Sequence, residues 1–311
     1  MTASEEHGMG VCVIGSLNLD IVCRVAELPR PGETVAGLGV ERLPGGKGGN
    51  QAVAAALSGV RTTLIGAVGA DEAGAIMLAA MRGAGVLIDA VATLADHPTG
   101  QAFIWVSAAG ENSIVVAGGA NAVLTPSHWD ASALAGASVF LAQLETPVAA
   151  IGTLFTQAAT RGGTRILNAA PAVEDGRRLF PVADILIVNE TELARYAGAA
   201  AVPVLIDDVA AAARGLISRR GQIIVVTLGA AGAVAVEAEG LTLVEGRPAA
   251  VVDTTGAGDC FCGVLAARLA VGEGLEAAMI WANRAAALST ERPGAAPSMP
   301  TLAEIKAALG I

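Results

Sequence analysis

The chain has 311 residues, 53% hydrophobic but only 3% aromatic, so its core is built from Ala, Val, Leu and Ile, with 39 glycines serving tight turns and close helix–sheet approaches. A net charge of −10 argues against nucleic acid and anionic membrane as partners, but a local amide nest would still hold an anionic nucleotide. Four cysteines without CxxC spacing and three histidines outside any HExxH pattern argue against a zinc hydrolase and a disulfide scaffold, and place the chain in a reducing cytoplasm.

Residues 1–10 carry Glu5 and Glu6 and lack a basic stretch, so they are not expected to be a signal peptide. His7 is expected in a tail, and His97, before Pro98, at the surface. Residues 11–16 read as a buried first strand, and Asn18 and Asp20 then follow just past its C-terminal end. That edge is where open α/β sheets bind ligands, although both residue types are also ordinary in turns. Residues 21–43, with Pro29, Pro31, Gly32 and Gly37, have no helical period and read as irregular strands outside the main sheet.

Gly45-Gly46-Lys47-Gly48-Gly49-Asn50 then opens an Ala-rich helix over about 51–57. It is neither a P-loop, since glycine follows Lys47, nor GxGxxG. Its glycines expose amides beside one cation, which suits a hydroxyl-rich ligand. Lys47 either faces a phosphate or satisfies an acidic neighbour.

Residues 62–68, 71–83 and 86–92 read as strand, helix, strand, and 99–107 with 112–116 as a hairpin around Gly110. From 138 onward strands and helices alternate: strands at 138–142, 164–168, 184–188 and 222–227, helices at 147–160, 174–179, 190–197 and 205–218. That rhythm means a parallel sheet covered on both faces. Gln143, Glu145, Asn168, Asn189, Glu190, Glu192 and Thr227 all fall at C-terminal strand ends. Each is a possible cap, but their shared edge points to a site. Two antiparallel edge strands (233–236, 241–244) and helices at 260–271, 274–288 and 301–309 complete the chain.

Asp253-Thr254-Thr255-Gly256-Ala257-Gly258-Asp259 precedes the first of those helices. Glycines at a helix start let unpaired N–H groups meet an anion closely, and the adjacent Asp259 is suited to take a proton from an attacking hydroxyl. The alternative is a Gly-rich turn whose aspartate only caps the helix.

Taken together, residues 15–20, 45–55, 189–192, 253–261 and 293–300 resemble, in order and over nearly the whole chain, the ribokinase (PfkB) family of sugar kinases. The resemblance implies one three-layer α/β domain over 1–311, with a mostly parallel central sheet and a small β lid formed by about 17–43 and 99–118. It implies an ATP-dependent kinase making ribose 5-phosphate from D-ribose, with a fructokinase, a nucleoside kinase or a non-catalytic sensor on the same scaffold as alternatives. By the family pattern Asp259 is the base, and the amides of Gly256, Ala257 and Gly258 form the anion hole. Asn18, Asp20, Gly46, Lys47, Asn50 and Glu145 hold the sugar, with Asp259 beside them. Asn189, Thr227, Gly229, Gly232, Gly258 and Asn283 line the ATP site. Glu192 helps place hydrated Mg²⁺. Asp253 and oxygens of Thr255, Ser289, Arg292, Gly294 and Ser298 ligate an activating K⁺, and the lid supplies a homodimer interface. Gly49 and Gly256 stand where the best-known members carry Ala, and Glu291 and Pro293 also depart from the pattern.

Overall fold

Short apolar runs alternating with Ala-rich segments give the expected succession of strands and helices. The computed structural model describes residues 8–311, so His7 and most of the N-terminal segment lie outside the described residues. The chain runs β1 (Gly10–Ile14), β2 (Asn18–Val25), β3 (Gly37–Gly45), α1 (Lys47–Leu57), β4 (Thr62–Gly69), α2 (Glu72–Gly83), β5 (Val91–Leu94), β6 (Gly100–Ser107) and β7 (Asn112–Ala117). It continues through β8 (Ala137–Gln143), α3 (Val148–Ala159), β9 (Thr164–Asn168), β10 (Ile185–Asn189), α4 (Glu190–Ala197), α5 (Ile206–Arg214) and β11 (Ile223–Thr227). It ends with β12 (Gly232–Glu237), β13 (Gly240–Glu245), α6 (Ala257–Ala270), α7 (Leu275–Ser289) and α8 (Leu302–Leu309).

Nine strands form one sheet in the order β13-β12-β11-β10-β9-β8-β1-β4-β5, parallel from β11 to β5 and antiparallel at β12 and β13. Period-two alternation sends side chains to two separate cores. In β1, Val11 and Val13 pack with α1, α6 and α7, while Cys12 and Ile14 pack with α3, α4 and α5. Helices thus cover both faces, giving the three layers expected. Among the described residues no helix is long and apolar enough to cross a membrane.

A second sheet, β3-β2-β6-β7, stands apart, with β2 antiparallel to β3 and parallel to β6, and β6 antiparallel to β7. Its strands pair in continuous ladders, with one register shift between β2 and β3 at Arg24–Val25. The turn that Asn18 and Asp20 also allow is absent, because Asn18 already pairs with Gly45 and Gly100 as the first residue of β2. The strand expected at 86–92 also moves. A turn at Asp89–Ala90 breaks the apolar run, Leu87 makes only an isolated bridge to Thr63, and the strand starts at Val91. The helix expected at 174–179 is a 3-10 helix over Glu174–Val182 that contains Pro181, whose missing N–H is incompatible with a continued α-helix. Three further 3-10 helices between Gly119 and Leu134 carry no periodic signal in the sequence. Cys12, Cys260 and Cys262 are buried as expected, whereas Cys23 is half-buried on β2.

Candidate active site

Helix α6 begins at Ala257, earlier than the sequence pattern suggests, so Asp259 lies inside its first turn. Gly256 is the N-cap, with φ +78°, and a side chain there would place its Cβ 2.8 Å from the Ala295 side chain. These two constraints explain a glycine at 256. Asp259 does not cap its own helix. It is 7% exposed, and its two oxygens accept from Asn50 Nδ2 and Gln51 Nε2, both at 2.9 Å. The capping alternative is thereby removed.

Of the three amides expected to meet an anion, that of Ala257 donates to the Thr254 carbonyl at 3.2 Å, closing the turn. The amides of Gly256 and Gly258 have no such partner among the described residues, and the space beside the Gly258 Cα is open.

Lys47 is the first residue of α1, and its amide donates to Glu145 Oε2 at 3.2 Å. The same carboxylate accepts from the Ser16 hydroxyl at 2.5 Å. Asp259 first, and then Glu145 and Glu192, hold the Lys47 ammonium above its ordinary pKa, against the opposing effect of burial. These carboxylates favour the charged ammonium, which lines the small cavity together with Asp259 and Glu192. Burial, with Glu145 and Asp259 adding repulsion, pushes Asp20 up to about 7. Asn18 is buried, and its Oδ1 accepts from Asn121 Nδ2 at 2.8 Å. Gly45, Gly46 and Gly100 allow this crowding: a Cβ at 45 would lie 2.1 Å from Asp20 Oδ2, at 46 it would lie 2.7 Å from the Asn18 amide, and at 100 it would lie 2.3 Å from Asn18 Oδ1. Asn50 Oδ1 is buried with no partner among the described residues, an acceptor that a hydroxyl could meet.

Two cavities meet at Thr227 and Gly258. The smaller, about 210 Å³, is lined by Lys47, Asp259, Asn189, Glu192 and Gly256. Asn189 and Glu192 form a reciprocal cap of α4, the Asn189 amide donating to Glu192 Oε2 at 2.9 Å and the Glu192 amide to Asn189 Oδ1 at 2.8 Å. Burial, then Asp259, raises the Glu192 pKa, with the Asn189 amide and Lys47 opposing. The larger cavity, about 560 Å³, has mostly apolar walls that include Gly229, Ala257, Phe261 and Asn283. Gly232 also lines it, at φ +105°, where a Cβ would fall 2.1 Å from the Val244 carbonyl oxygen. Asn283 Nδ2 is engaged with that carbonyl at 3.0 Å.

Asp253 ties the loop after β13 to the loop after α7, accepting from the amides of Thr255 at 2.9 Å and Gly294 at 2.8 Å. Burial works against its charge, but these bonds hold its carboxyl below the usual range. Ser289 and Ser298 turn their hydroxyls onto the carbonyls of Ala286 and Ala295, and the Arg292 guanidinium pairs with Glu304. The two hydroxyls give up their hydrogens in these bonds but keep oxygen lone pairs, so their oxygens and the backbone carbonyls stay possible cation donors, whereas the Arg292 side chain offers none. Among the described residues no three His, Cys, Asp or Glu gather as a metal cage. Sequence reasoning missed Gln51, Asn121 and Ser16, all buried around the site, and the Arg247–Ala249 wall of the larger cavity. Gln51 had a signal, standing next to Asn50 at the start of α1.

The pfkB family carbohydrate kinase model matches residues 10–302. The ribokinase of Haemophilus influenzae is 35% identical over 296 residues, covering 94% of this chain and 95% of that protein. The bifunctional ribokinase/ribose-5-phosphate isomerase A of Fructilactobacillus sanfranciscensis is 39% identical over 298 residues, 94% of this chain, and the chain spans only 54% of its length. The structure of Arabidopsis thaliana ribokinase complexed with ribose and ATP superimposes with a TM-score of 0.90 at 30% identity, covering 98% of this chain and 99% of that one. With a family model over nearly all of its length and relatives of this similarity, the chain belongs to the pfkB family of carbohydrate kinases.

Proposed function

We propose that this chain transfers the γ-phosphoryl group of ATP to the 5-hydroxyl of D-ribose, with Asp259 as the base. The observation that carries the reading is the position of Asp259. It lies buried at the start of α6, on the wall of the small cavity between the large apolar cavity and the polar cluster of Lys47, Asn50, Glu145 and Asp20. The large cavity suits a nucleoside, and the small one suits the phosphate chain.

In this reading the hydroxyl reaches Asp259, which takes its proton as the oxygen attacks phosphorus. The free amides of Gly256 and Gly258, with Lys47, meet the charge spreading over the phosphoryl oxygens. Asn18, Asp20, Asn50 and Glu145 orient the sugar through mixed donors and acceptors. Glu192, on the small cavity's wall, fits a largely hydrated Mg²⁺, which supplies charge neutralisation on the phosphates when bound. The oxygen donors around Asp253, with Thr255 and Gly294 drawn to it, fit K⁺, which would order the loop before α6.

The small sheet is read as a lid, since Asn18 and Asp20 begin β2 and hang from it. Its register puts Val40, Cys23, Trp105 and Ser113 in one row and Arg42, Ile21, Phe103 and Val115 in the next, on the face opposite Asp20. That mostly apolar face supports a homodimer through the lid, which sedimentation velocity would test.

ADP release from Mg·ATP with D-ribose, D-fructose, 2-deoxyribose and adenosine, each with K⁺ and with a large organic cation instead, tests the reading. Ribose-dependent, K⁺-stimulated turnover supports it. Preferential turnover of another acceptor moves the substrate assignment, and no turnover with any of them sinks it.

A further inference from the structure

Gln51 is completely buried, directly beneath the carboxylate of Asp259. Its Nε2 donates to Asp259 Oδ1 at 2.9 Å and to Asn168 Oδ1 at 3.0 Å. Its Oε1 accepts from Gln143 Nε2 at 2.6 Å. Both N–H groups and the carbonyl are thus used, and the polarity of the chain is set. While Gln143 donates to the Gln51 carbonyl, the Gln51 amide must face Asp259.

The arrangement is built at some cost. Three amide side chains, Gln51, Gln143 and Asn168, are buried where apolar ones would fill the space, and Gln143 Oε1 has no partner. Two glycine crossings make room for them. A Cβ at Gly263, one turn after Asp259 on α6, would lie 2.4 Å from the Gln51 carbonyl oxygen, so only glycine lets α1 and α6 approach this closely. A Cβ at Gly15 would lie 2.0 Å from Gln143 Oε1.

A carboxylate on the first turn of a helix has free torsions. Two amides from consecutive residues of α1, one on each oxygen, remove that freedom and leave the remaining lone pairs facing the cavity. We propose that Gln51 is a positioning residue for phosphoryl transfer, fixing the Asp259 carboxylate in the orientation that receives the acceptor proton, with Gln143 setting the direction of its amide. The inference rests on Asp259 being the base. Gln51 itself touches neither sugar nor nucleotide in this arrangement, so its effect falls on the chemical step and not on ground-state binding.

The test begins with wild-type turnover of D-ribose, which judges the proposed function by itself. Kinetics of Gln51→Glu and Gln143→Glu then judge the positioning role. Gln51→Glu keeps the shape but sets a carboxylate against Asp259 Oδ1. It is expected to lower kcat on the order of a hundredfold, with the KM values for D-ribose and Mg·ATP moving less than about threefold. Gln143→Glu removes the donor to Gln51 Oε1 and lets that amide turn over, with an expected loss of about tenfold in kcat and the same unchanged KM values. Near-wild-type kcat in both variants overturns the proposal. So does a loss of kcat that comes only with a rise in both KM values or with loss of the cooperative unfolding transition, because that pattern belongs to structural packing. If Gln51→Glu does not fold, Gln143→Glu decides alone.

Discussion

The two sides of Asp259 are made of different material. On the side proposed for the nucleoside, the 560 Å³ cavity is walled mostly by Gly, Ala, Val, Pro and one Phe, with three Thr and Arg247 among them, and its Asn283 amide is already spent on the Val244 carbonyl. Toward the acceptor, Lys47, Asn50, Asp20, Glu145 and Asn18 crowd together, and the glycines at 45, 46 and 100 are the only residues that fit between them. An apolar wall distinguishes ligands by shape, whereas a wall of buried polar groups penalises a ligand that leaves one of them unpaired. The acceptor side should therefore carry most of the selectivity and nearly all of the chemistry.

The largest effect expected is at the boundary itself. Asp259→Asn preserves the shape and the bond to Gln51 in altered form but removes the proton acceptor, and should lower kcat by about 10³-fold with ATP binding, measured by calorimetry, nearly unchanged. Turnover close to wild type would place the base elsewhere and break the comparison at its centre. Next comes removal of one acceptor hydroxyl. 2-Deoxyribose should lose roughly 10–100-fold in kcat/KM against D-ribose, the size of one hydrogen bond to a charged partner left unmade. Equal kcat/KM values would mean that the polar cluster does not read that hydroxyl.

Asp20 gives the acceptor side a pH dependence that the nucleoside side lacks. Its pKa is raised to about 7, so it gains a proton as pH falls through neutrality and ceases to be a full acceptor for sugar hydroxyls. The KM for D-ribose should rise about tenfold from pH 8 to pH 6, with the KM for Mg·ATP flat over the same range. The stability sign is opposite. Between the unfolded value of 3.8 and about 7 the folded state holds the proton and the unfolded chain does not, so this group's contribution to stability falls as pH rises through that window and levels off above it. Asp20→Asn should accordingly raise Tm at pH 8 by roughly 2–5 °C while weakening ribose binding. A fall in Tm would show that the carboxylate is not the burdened form.

The main sheet and the site's location were legible because both rest on local signals. Short apolar runs alternating with helical segments marked β8 to β11, and polar residues at their C-terminal ends marked one edge. The small sheet was only half legible. Residues 21–43 are broken by Pro and Gly, and their regularity comes from pairing with β6, about eighty residues away in sequence, a partner that no local pattern reveals. The 3-10 segments were illegible for the same reason, being held by tertiary contacts such as Asn121 on Leu17 and Asn18. Within the site, residues whose type is unusual for their place stood out: Asp259, Lys47, Asn50. Gln51 and Asn121 did not, because a buried amide in a helix or loop acquires meaning only once its partners are known. The cap at Asn189 and Glu192 shows the reverse limit, since the sequence pattern of a ligand pair and of a capping box is the same.

The smallest effect concerns the base of the nucleotide, and it is the sharpest check on the apolar side. Adenine and guanine differ in the hydrogen-bonding groups on their edges but little in outline. A cavity that read those edges would need free donors and acceptors aimed at them. The side-chain polar groups on this wall are few: Asn283 is tied to Val244, Thr227 reaches back to the Val188 carbonyl at 3.5 Å, and Thr290 is bonded to the Ala287 carbonyl at 2.7 Å. With these three engaged, Arg247 and Thr254 are the polar side chains left on the wall, so replacing ATP by GTP should change kcat/KM by less than about tenfold, below the loss from one missing sugar hydroxyl. Steady-state kinetics with both nucleotides at saturating D-ribose measure the ratio. A discrimination beyond a hundredfold would mean that the cavity holds a polar reader, with Arg247 and Thr254 the side chains left to supply it.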